Sequence, residues 1–437
     1  MGVRRRAGSG TRLPSSRATC ACTGPSGSTS STSGVESTVR EPVSITGAGV
    51  VTPIGQDLDS FWAGLVTGVS GIGEIERFPV GDLRVTRGGE VKKLLRAPAA
   101  GSADPDWPEG RASRFLVHAA REALETAGLR TDRPPPARIG VVIGTALGGI
   151  DAAEHAVRGE GGLRRLAGSL YDGPTRDLAR WLGATGPVLA VSTACASGAT
   201  SLGLGADLLR DGCADVVLAG GVDVLCRFVQ RGFNVLRSLT RDLVRPFDRR
   251  RSGLLLGEGA GVVVLERRRD AEARGHRAVL GRLLGHGSAA DGVHVTAPDP
   301  DGRGLEVAIR LALREADLPP DAIEFVSAHG TGTMANDRVE TEVLKRLLGP
   351  RARAIPVNSI KAHLGHTMGA AATLEAIMGL LAFRHGLVPP TLNYGAPDPE
   401  CDLDYVPDAP RRLRPRVTLS TSLGFGGCNA ALVLGAP

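Results

Sequence analysis

Two stretches of this chain share one layout, and that layout decides the fold. Residues 187–212 read PVLAVSTACASGATSLGLGADLLRDG, and residues 355–386 read IPVNSIKAHLGHTMGAAATLEAIMGLLAFRHG. In each, an apolar strand runs into a turn that carries a reactive side chain, Cys195 or His366, and then into a helix rich in glycine and alanine. Such helices are poor in intrinsic propensity, which indicates close packing in a central layer. The repeat favours duplication of one strand-turn-helix unit.

Outside these stretches, apolar runs alternate with helical patterns, which is typical of an α/β protein with a mainly parallel sheet. A helix is expected over residues 111–128, and a strand over residues 139–144. Further buried strands are expected at 188–192, 216–220, 261–265, 325–328 and 432–434.

Composition excludes several classes of protein. The 437 residues include 60 glycines without a Gly-X-Y period, so collagen and low-complexity disorder are excluded. No run of 18 apolar residues is present, and we therefore expect no membrane span. The seven cysteines are not tightly spaced, and no signal peptide is recognised in the sequence. Both features favour reduced thiols in a cytoplasmic protein.

The N-terminal segment differs from the rest of the chain. Residues 1–42 are rich in Ser, Thr, Gly and Arg, and we expect them to be disordered. Six arginines against two glutamates give this tail +4 of the net +6. The remainder is nearly neutral, which argues against a nucleic-acid partner. We expect two further units, an N-terminal half over 43–270 with the nucleophilic cysteine and a C-terminal half over 271–437 with the histidines.

Three residues stand out as candidates for nucleophilic chemistry. Cys195 is predicted at the start of a helix, where the helix dipole and free N–H groups favour the thiolate. His329 ends an apolar strand in FVSAHGTGTMAND, at the strand edge where ligands usually bind. His366 follows Lys361 by five residues, and Lys361 is one of only four lysines among 52 basic residues. Together they predict a cysteine nucleophile served by two imidazoles.

Six motifs in a fixed order extend this pattern along about nine-tenths of the chain. They are VSTACASG around Cys195, RPFDRRRSGLLLGEGAGVVVLE from Arg245, HGTGT from His329, NSIKAHLGHTMGAA from Asn358, VPPTLNY from Val388, and SLGFGGCNAALVL near the end. In this ordered set the chain resembles the β-ketoacyl-acyl-carrier-protein synthases, the condensing enzymes of fatty acid and polyketide synthesis. The resemblance implies a thiolase-like, duplicated five-layer αβαβα fold.

The resemblance also implies a reaction. Cys195 takes an acyl group from a carrier-protein thioester, and malonyl-carrier protein then loses CO2 and attacks the acyl-enzyme in a decarboxylative Claisen condensation. His329 and His366 donate hydrogen bonds to the developing oxyanion, while backbone N–H groups of Cys195 and Phe425 serve the tetrahedral intermediate. Phe425 is also expected to act as a gate.

Further assignments come from the same resemblance. Lys361 is expected to support the catalytic histidine, with Glu340 as a partner in that lysine network. Thr296, Thr331 and Thr333 are expected to bind the pantetheine arm. No metal and no cofactor is implied, since substrates arrive on the phosphopantetheine of acyl carrier protein. The expected assembly is a homodimer or a heterodimer with a related ketosynthase-like subunit.

Alternatives remain open at this point. A coenzyme A-dependent thiolase would share the fold and the nucleophile but needs a second reactive cysteine, for which Cys428 is the only candidate. A chain-length-controlling partner subunit would lack the nucleophile that Cys195 provides. Two pathways are also alternatives, namely fatty acid synthesis and polyketide or polyene synthesis. The acidic carrier protein is expected to dock on Lys92, Lys93 and Arg96, or on Arg249 and Arg250.

Overall fold

The computed structural model describes residues 41–94, 108–129, 134–160, 162–276 and 278–437, with only the backbone described at 163–165. Residues 1–40 of the predicted tail lie outside this range, so its disorder stays a prediction.

The strands and helices of the described residues follow in chain order. The strands are β1 (Val43–Val51), β2 (Ile72–Glu74), β3 (Arg87–Gly89), β4 (Ile139–Gly144), β5 (Val188–Val191), β6 (Val216–Asp223), β7 (Gly259–Arg267), β8 (Gly281–Ala290), β9 (Phe325–Ser327), β10 (Val357–Asn358), β11 (Leu387–Val388), β12 (Arg411–Arg412), β13 (Val417–Gly424) and β14 (Cys428–Gly435). The helices are α1 (Leu58–Val66), α2 (Arg111–Thr126), α3 (Ile150–Val157), α4 (Leu163–Gly168), α5 (Gly173–Leu182), α6 (Ser197–Arg210), α7 (Arg227–Val235), α8 (Arg268–Ala273), α9 (Arg303–Glu315), α10 (Met334–Leu348), α11 (Lys361–Leu364) and α12 (Ala371–His385).

Ten of the strands form a sheet whose two halves have the same topology. The order is β10-β9-β13-β14-β8 and then β1-β7-β6-β4-β5. Numbering the five strands of each half from 1 along the chain, both halves have the spatial order 1-5-4-2-3, starting from β1 or β8. The halves join through antiparallel pairing of residues 43–45 with residues 281–283. This topology confirms the duplication. The boundary between 270 and 271 stays a prediction.

The sheet is mixed, so the expectation of a mainly parallel sheet is wrong. β4 pairs in parallel with β5 and β6, and β9 with β10 and β13. The other five pairings, which join β1, β6, β7, β8, β13 and β14, are antiparallel. Helices cover both faces of the antiparallel strands as well, and strands such as β7 are buried at every position. A continuous apolar run reports burial on two faces and says nothing about strand direction.

Five layers result from the packing of the helices. α6 and α12 contact each other and strands of both halves, so they form the central layer. α2 and α5 pack against the N-terminal strands, whereas α9 packs against the C-terminal strands with α10 beside it. Residues 371–383 of α12 are all buried. A helix with no polar face belongs in the interior, which explains its alanine-rich composition.

Two local predictions have different outcomes. The helix expected at 111–128 is α2, which ends at Thr126. The strand expected to be buried at 188–192 is β5, but it is the last strand of the sheet, and Leu189 is 40% exposed. An apolar strand at an open sheet edge is a surface that invites pairing.

Candidate active site

Cys195 lies in a sharp turn between a strand and a helix. β5 ends at Val191, one 3-10 turn covers Ala194–Ala196, and α6 begins at Ser197. Ala194 has a φ of 50°, so a residue with a side chain takes a strained, left-handed conformation directly before the cysteine. Cys195 is 7% exposed and lines a pocket. The fold therefore presents the thiol where the sequence pattern placed it.

Both predicted histidines line the same pocket as the cysteine, and one of them contacts it. His366 Nε2 lies 3.0 Å from Cys195 Sγ. The rings of His329 and His366 are arranged edge to face, with centroids 5.2 Å apart. His329 follows β9, and His366 follows α11, so two strand-turn units deliver one imidazole each. Three residues far apart in the sequence form one cluster.

Burial sets the protonation of this cluster. It raises the pKa of the Cys195 thiol to about 12, against the opposing effects of the Lys361 charge and a hydrogen bond from the Phe425 N–H. Burial also lowers the pKa of His329 and of His366 well below the usual range, and the Lys361 charge lowers both further. At neutral pH the thiol is therefore protonated and both imidazoles are neutral. A neutral imidazole at 3.0 Å can accept the thiol proton.

Lys361 forms a buried ion pair with Glu375 of α12. Both side chains are 2% exposed, and Nζ lies 2.5 Å from Oε1. The prediction that Glu340 is the partner of this lysine is wrong, because Glu375 takes that place. One signal could have found Glu375, since it is the only acidic residue in α12. Burial raises the pKa of Glu375, and the lysine beside it lowers that pKa.

Glu340 instead holds the backbone around His329. Its two carboxylate oxygens accept the N–H groups of His329 and Gly330, each at 2.8 Å. The Thr421 hydroxyl donates to Oε1 at 2.6 Å. Glu340 is fully buried, and burial raises its pKa while these donors lower it. The carboxylate thus fixes the loop that presents His329.

Phe425 lies in a glycine loop against the cysteine turn. Its backbone N–H bonds to the Cys195 sulfur. A Cβ on Gly424 would come 3.1 Å from the Cys195 nitrogen, and Gly426 has a φ of 81°, so glycine suits this close approach. The Phe425 ring stacks on the ring of Phe233 of α7, with the ring centroids 5.6 Å apart. The role of this N–H as an oxyanion donor and gating by the ring both stay predictions.

The predicted threonines reach the same pocket as Cys195 and the two histidines. Thr296, Thr331 and Thr333 all line it, and the hydroxyls of Thr331 and Thr333 are 2.9 Å apart. Sequence reasoning missed three polar residues of this pocket, namely Asp291, Asn336 and Asn429. Asn429 lies two residues after the last glycine of the loop, and that position was the available signal.

Residues 40–271 match the family model described as "Beta-ketoacyl synthase, N-terminal domain", and residues 280–395 match "Beta-ketoacyl synthase, C-terminal domain". The chain belongs to the β-ketoacyl synthase family. Members of this family with curated functions include acyltransferases of the 3-oxoacyl-acyl-carrier-protein synthase type, and the chain is a condensing enzyme of that kind.

Relatives of this β-ketoacyl synthase include a polyketide synthase subunit and a 3-oxoacyl-[acyl-carrier-protein] synthase. It is 40% identical to the tetracenomycin polyketide synthase ketoacyl synthase alpha subunit of Streptomyces glaucescens, over 90% of this chain and 97% of the relative. It is 37% identical to 3-oxoacyl-[acyl-carrier-protein] synthase 2 of Synechocystis sp., with the same coverage of 90% and 97%.

Solved ketosynthases share the fold of this β-ketoacyl synthase. The ishigamide ketosynthase/chain length factor superposes with a TM-score of 0.83 at 36% identity, covering 91% of this chain and 100% of that one. A type II polyketide ketosynthase, solved in complex with its acyl-carrier protein and bound to the hexaketide, gives 0.82 at 30% identity with the same coverage. The thiolase-like fold expected from the sequence is confirmed.

One other cluster of potential ligands lies in the described part of this synthase. Asp207, His286 and Glu315 have side-chain atoms within 4.8 Å of one another. The His286 ring lies between the two acids, with Nδ1 3.1 Å from Glu315 and Nε2 3.9 Å from Asp207. Arg210 also contacts both carboxylates. Ion pairs account for this cluster.

No helix among the described residues has the length and apolar character needed to cross a membrane.

Proposed function

We propose that this protein extends an acyl chain by two carbons, through acyl transfer from acyl carrier protein to Cys195 and condensation with malonyl-carrier protein. One observation carries the proposal: His366 Nε2 lies 3.0 Å from Cys195 Sγ, with the His329 ring against the same imidazole. The roles of individual residues below belong to this proposal.

In the first step the sulfur of Cys195 attacks the carrier thioester. The thiol proton passes to His366, the sulfur–carbon bond forms, and the carbon–sulfur bond to pantetheine breaks. The proton then goes to the departing pantetheine sulfur. The N–H groups of Cys195 and Phe425 stabilise the negative oxygen of the tetrahedral intermediate. The product is an acyl-Cys195 thioester.

In the second step malonyl-carrier protein loses CO2, and the electrons of the broken bond form an enolate. Neutral His329 and His366 donate hydrogen bonds to the enolate oxygen. Nδ1 of each ring has no hydrogen-bond partner in the described part of the chain, so nothing holds the imidazole proton on that side. His366 accepts the thiol proton on Nε2 in the tautomer that carries its own proton on Nδ1. Once that proton has moved to Nε2, the ring donates to the enolate oxygen, as His329 does. The enolate carbon then attacks the acyl carbonyl, and the Cys195 thiolate leaves.

Lys361 supports both steps through its charge. Burial lowers the pKa of His329 and of His366, and the charge of Lys361 lowers both further, which favours the neutral rings. It also lowers the pKa of the Cys195 thiol, which favours the nucleophile. Glu375 balances the ammonium inside the protein, where an unpaired charge would be costly.

The proposed partner is an acidic acyl carrier protein that docks beside α7. Of the basic residues predicted for this role, Arg96 lies outside the described residues, while Lys92 and Arg250 form ion pairs with nearby acids. α7 contributes Phe233 to the pocket, and the exposed Arg237 lies two residues after the end of the helix.

Charge reversal at Arg237 tests this docking site. Arg237→Glu should raise KM for acyl-carrier substrates without affecting acyl-pantetheine, because only the carrier carries the complementary charge. Arg268→Glu on α8 is the matched surface control. Equal KM values for Arg237→Glu and wild type would exclude this docking site.

The proposed assembly forms through the exposed edge strand β5. Leu189 on this strand is 40% exposed, and the nearby Leu170 and Tyr171 are 54% and 45% exposed. A second copy or a related subunit that continues the sheet would cover this apolar edge. Leu189→Glu should shift the mass measured by light scattering from dimer to monomer. A wild type that dimerises only after a related subunit is added identifies the heterodimer, and a dimer that survives Leu189→Glu rejects this edge.

Two other functions are less well supported. A thiolase would need a second reactive cysteine, and Cys428 begins β14 and is not among the described residues that line the pocket. A non-catalytic chain-length subunit has no use for the contact between His366 and Cys195. Wild type and Cys195→Ala, each incubated with acyl-carrier and malonyl-carrier, separate these functions. Carrier-bound β-ketoacyl product from wild type alone is expected, and product from Cys195→Ala would refute the proposal.

The same assay reads out the pathway. A panel of starter chains on the carrier, followed by intact-mass analysis, shows which lengths are extended. Repeated extension without an added reductase gives a poly-β-keto chain, whereas a single extension indicates the fatty acid pattern.

A further inference from the structure

Asp223 is a buried carboxylate that the chemistry above does not use. It ends β6 and is 0% exposed. Four groups donate to it: the Thr145 hydroxyl at 2.8 Å and the backbone N–H groups of Ala146 at 2.8 Å, Leu147 at 3.1 Å and Gly369 at 2.6 Å. These donors come from two separate turns, so the carboxylate is a tie between them.

The hydrogen bonds made by Asp223 require an acidic side chain at this position. All four partners are donors, and an ionised carboxylate is the side chain that only accepts. None of the four is charged, so the negative charge is kept in the interior without a cation among these donors. Burial raises the pKa of Asp223 to about 7, against the lowering effect of the four hydrogen bonds.

The two turns flank the catalytic pair. Gly369 lies three residues after His366, and a Cβ there would come 2.7 Å from the Ala146 nitrogen, so the turns are in direct contact. The same glycine contacts the start of α6, since a Cβ on Gly198 would lie 2.9 Å from the Gly369 oxygen. Gly198 is three residues after Cys195. Asp223 is therefore the bonded centre of the packing that sets His366 against Cys195.

The charge of Asp223 also acts on the thiol. The Cys195 sulfur is influenced by the cation of Lys361, which lowers its pKa, and by the carboxylates of Asp223 and Glu375, which raise it. His366 contacts the sulfur directly. Removing the charge of Asp223 must therefore make the thiol more acidic, which a loss of packing alone would not do.

We propose that Asp223 is a positioning residue for the condensation: its carboxylate ties the turn after His366 to the turn at 145–147, and this holds Gly369 against the start of α6, directly after the Cys195 turn. The proposal rests on the function proposed above. Asp223 acts through the backbone and the electrostatic field, and it does not touch the reacting atoms.

Two variants test this role. Asp223→Asn removes the charge and turns an N–H2 group toward at least one N–H or O–H donor. We expect kcat to fall by roughly 100-fold, as for an ångström-scale misplacement, with KM for the carrier unchanged. The pH profile of Cys195 alkylation by iodoacetamide is measured above pH 7, where Asp223 of the wild type is ionised. In Asp223→Asn this profile should move to lower pH. Thr145→Val removes one donor but keeps the charge, so kcat should fall while the alkylation profile stays.

Glu266→Gln is the control for a buried carboxylate far from the pocket. Glu266 accepts the Thr46 hydroxyl at 2.6 Å and pairs with Arg274. Its variant should lose thermal stability and keep both kcat and the alkylation profile. Two results for Asp223→Asn would overturn the proposal. One is a wild-type kcat with an unmoved alkylation profile. The other is an unmoved alkylation profile with a kcat that falls only as far as the fraction of unfolded protein explains. Wild type that makes no β-ketoacyl product would instead overturn the proposed function.

Discussion

Replacement of Lys361 by methionine separates the structural role of its charge from the catalytic one. The lysine and Glu375 are each 2% exposed, so the substitution leaves a carboxylate in the interior without its cation. Breaking a buried pair in this way costs about 3–5 kcal/mol of the free energy of unfolding. Since Lys361 lowers the pKa of Glu375, its loss raises that pKa further and protonation recovers part of the cost. We expect a loss near the lower end, about 3 kcal/mol.

The double variant Lys361→Met/Glu375→Gln recovers stability without recovering activity. With both charges gone, no unpaired ion remains and most of the free energy of unfolding should return. The pKa of His329 and of His366 still rises, because the charge that lowered both is missing. A protonated imidazole cannot accept the thiol proton, so the acidic limb of Cys195 acylation should move to higher pH in both variants.

Two measurements follow these effects separately. Urea unfolding gives the stability of wild type, single variant and double variant. Single-turnover acylation from acyl-carrier protein, followed from pH 5 to 9, gives the pH profile. A double variant that is stable and has the wild-type profile would refute the role given to Lys361. A single variant as stable as wild type would refute the buried ion pair.

Three further predictions concern the pocket. Cys195→Gln should block acylation and keep decarboxylation of malonyl-carrier, measured as CO2 release; loss of both would contradict the role of the histidines. Glu340→Gln points its N–H2 group at a backbone N–H or the Thr421 hydroxyl, so the free energy of unfolding should fall by about 1–3 kcal/mol. An unchanged urea midpoint would argue against the role of the Glu340 carboxylate in fixing the loop around His329. Thr333→Val should raise KM for acyl-pantetheine by roughly 2- to 10-fold with kcat unchanged; wild-type KM would remove Thr333 from the pantetheine site.

Sequence patterns predicted the architecture well where they reflect burial. The layout shared by residues 187–212 and 355–386 predicted the duplication, because both units need the same small-residue helix in the central layer. Strand direction could not be predicted in this way. β7 is buried on both faces like a parallel strand, yet it pairs antiparallel with β1 and β6.

The three side chains that meet in the pocket were predictable, but their supporting contacts were not. Cys195, His329 and His366 each stand in a motif whose local geometry signals function. The partner of Lys361 was misjudged, because which of Glu340 and Glu375 reaches the ammonium depends on how two helices pack. Asp223 was not singled out either, since nothing local distinguishes it before the turns around Thr145 and Gly369 come together.

Peptide mapping of the acyl-enzyme tests the central claim most directly. Wild-type protein is incubated with acyl-carrier protein, digested and analysed by mass spectrometry, before and after addition of malonyl-carrier protein. The acyl mass should appear on the peptide that contains Cys195, and it should then be replaced by a β-ketoacyl group on the carrier, two carbons longer. An acyl group on another residue, or β-ketoacyl product formed without any acyl-Cys195, would contradict the account.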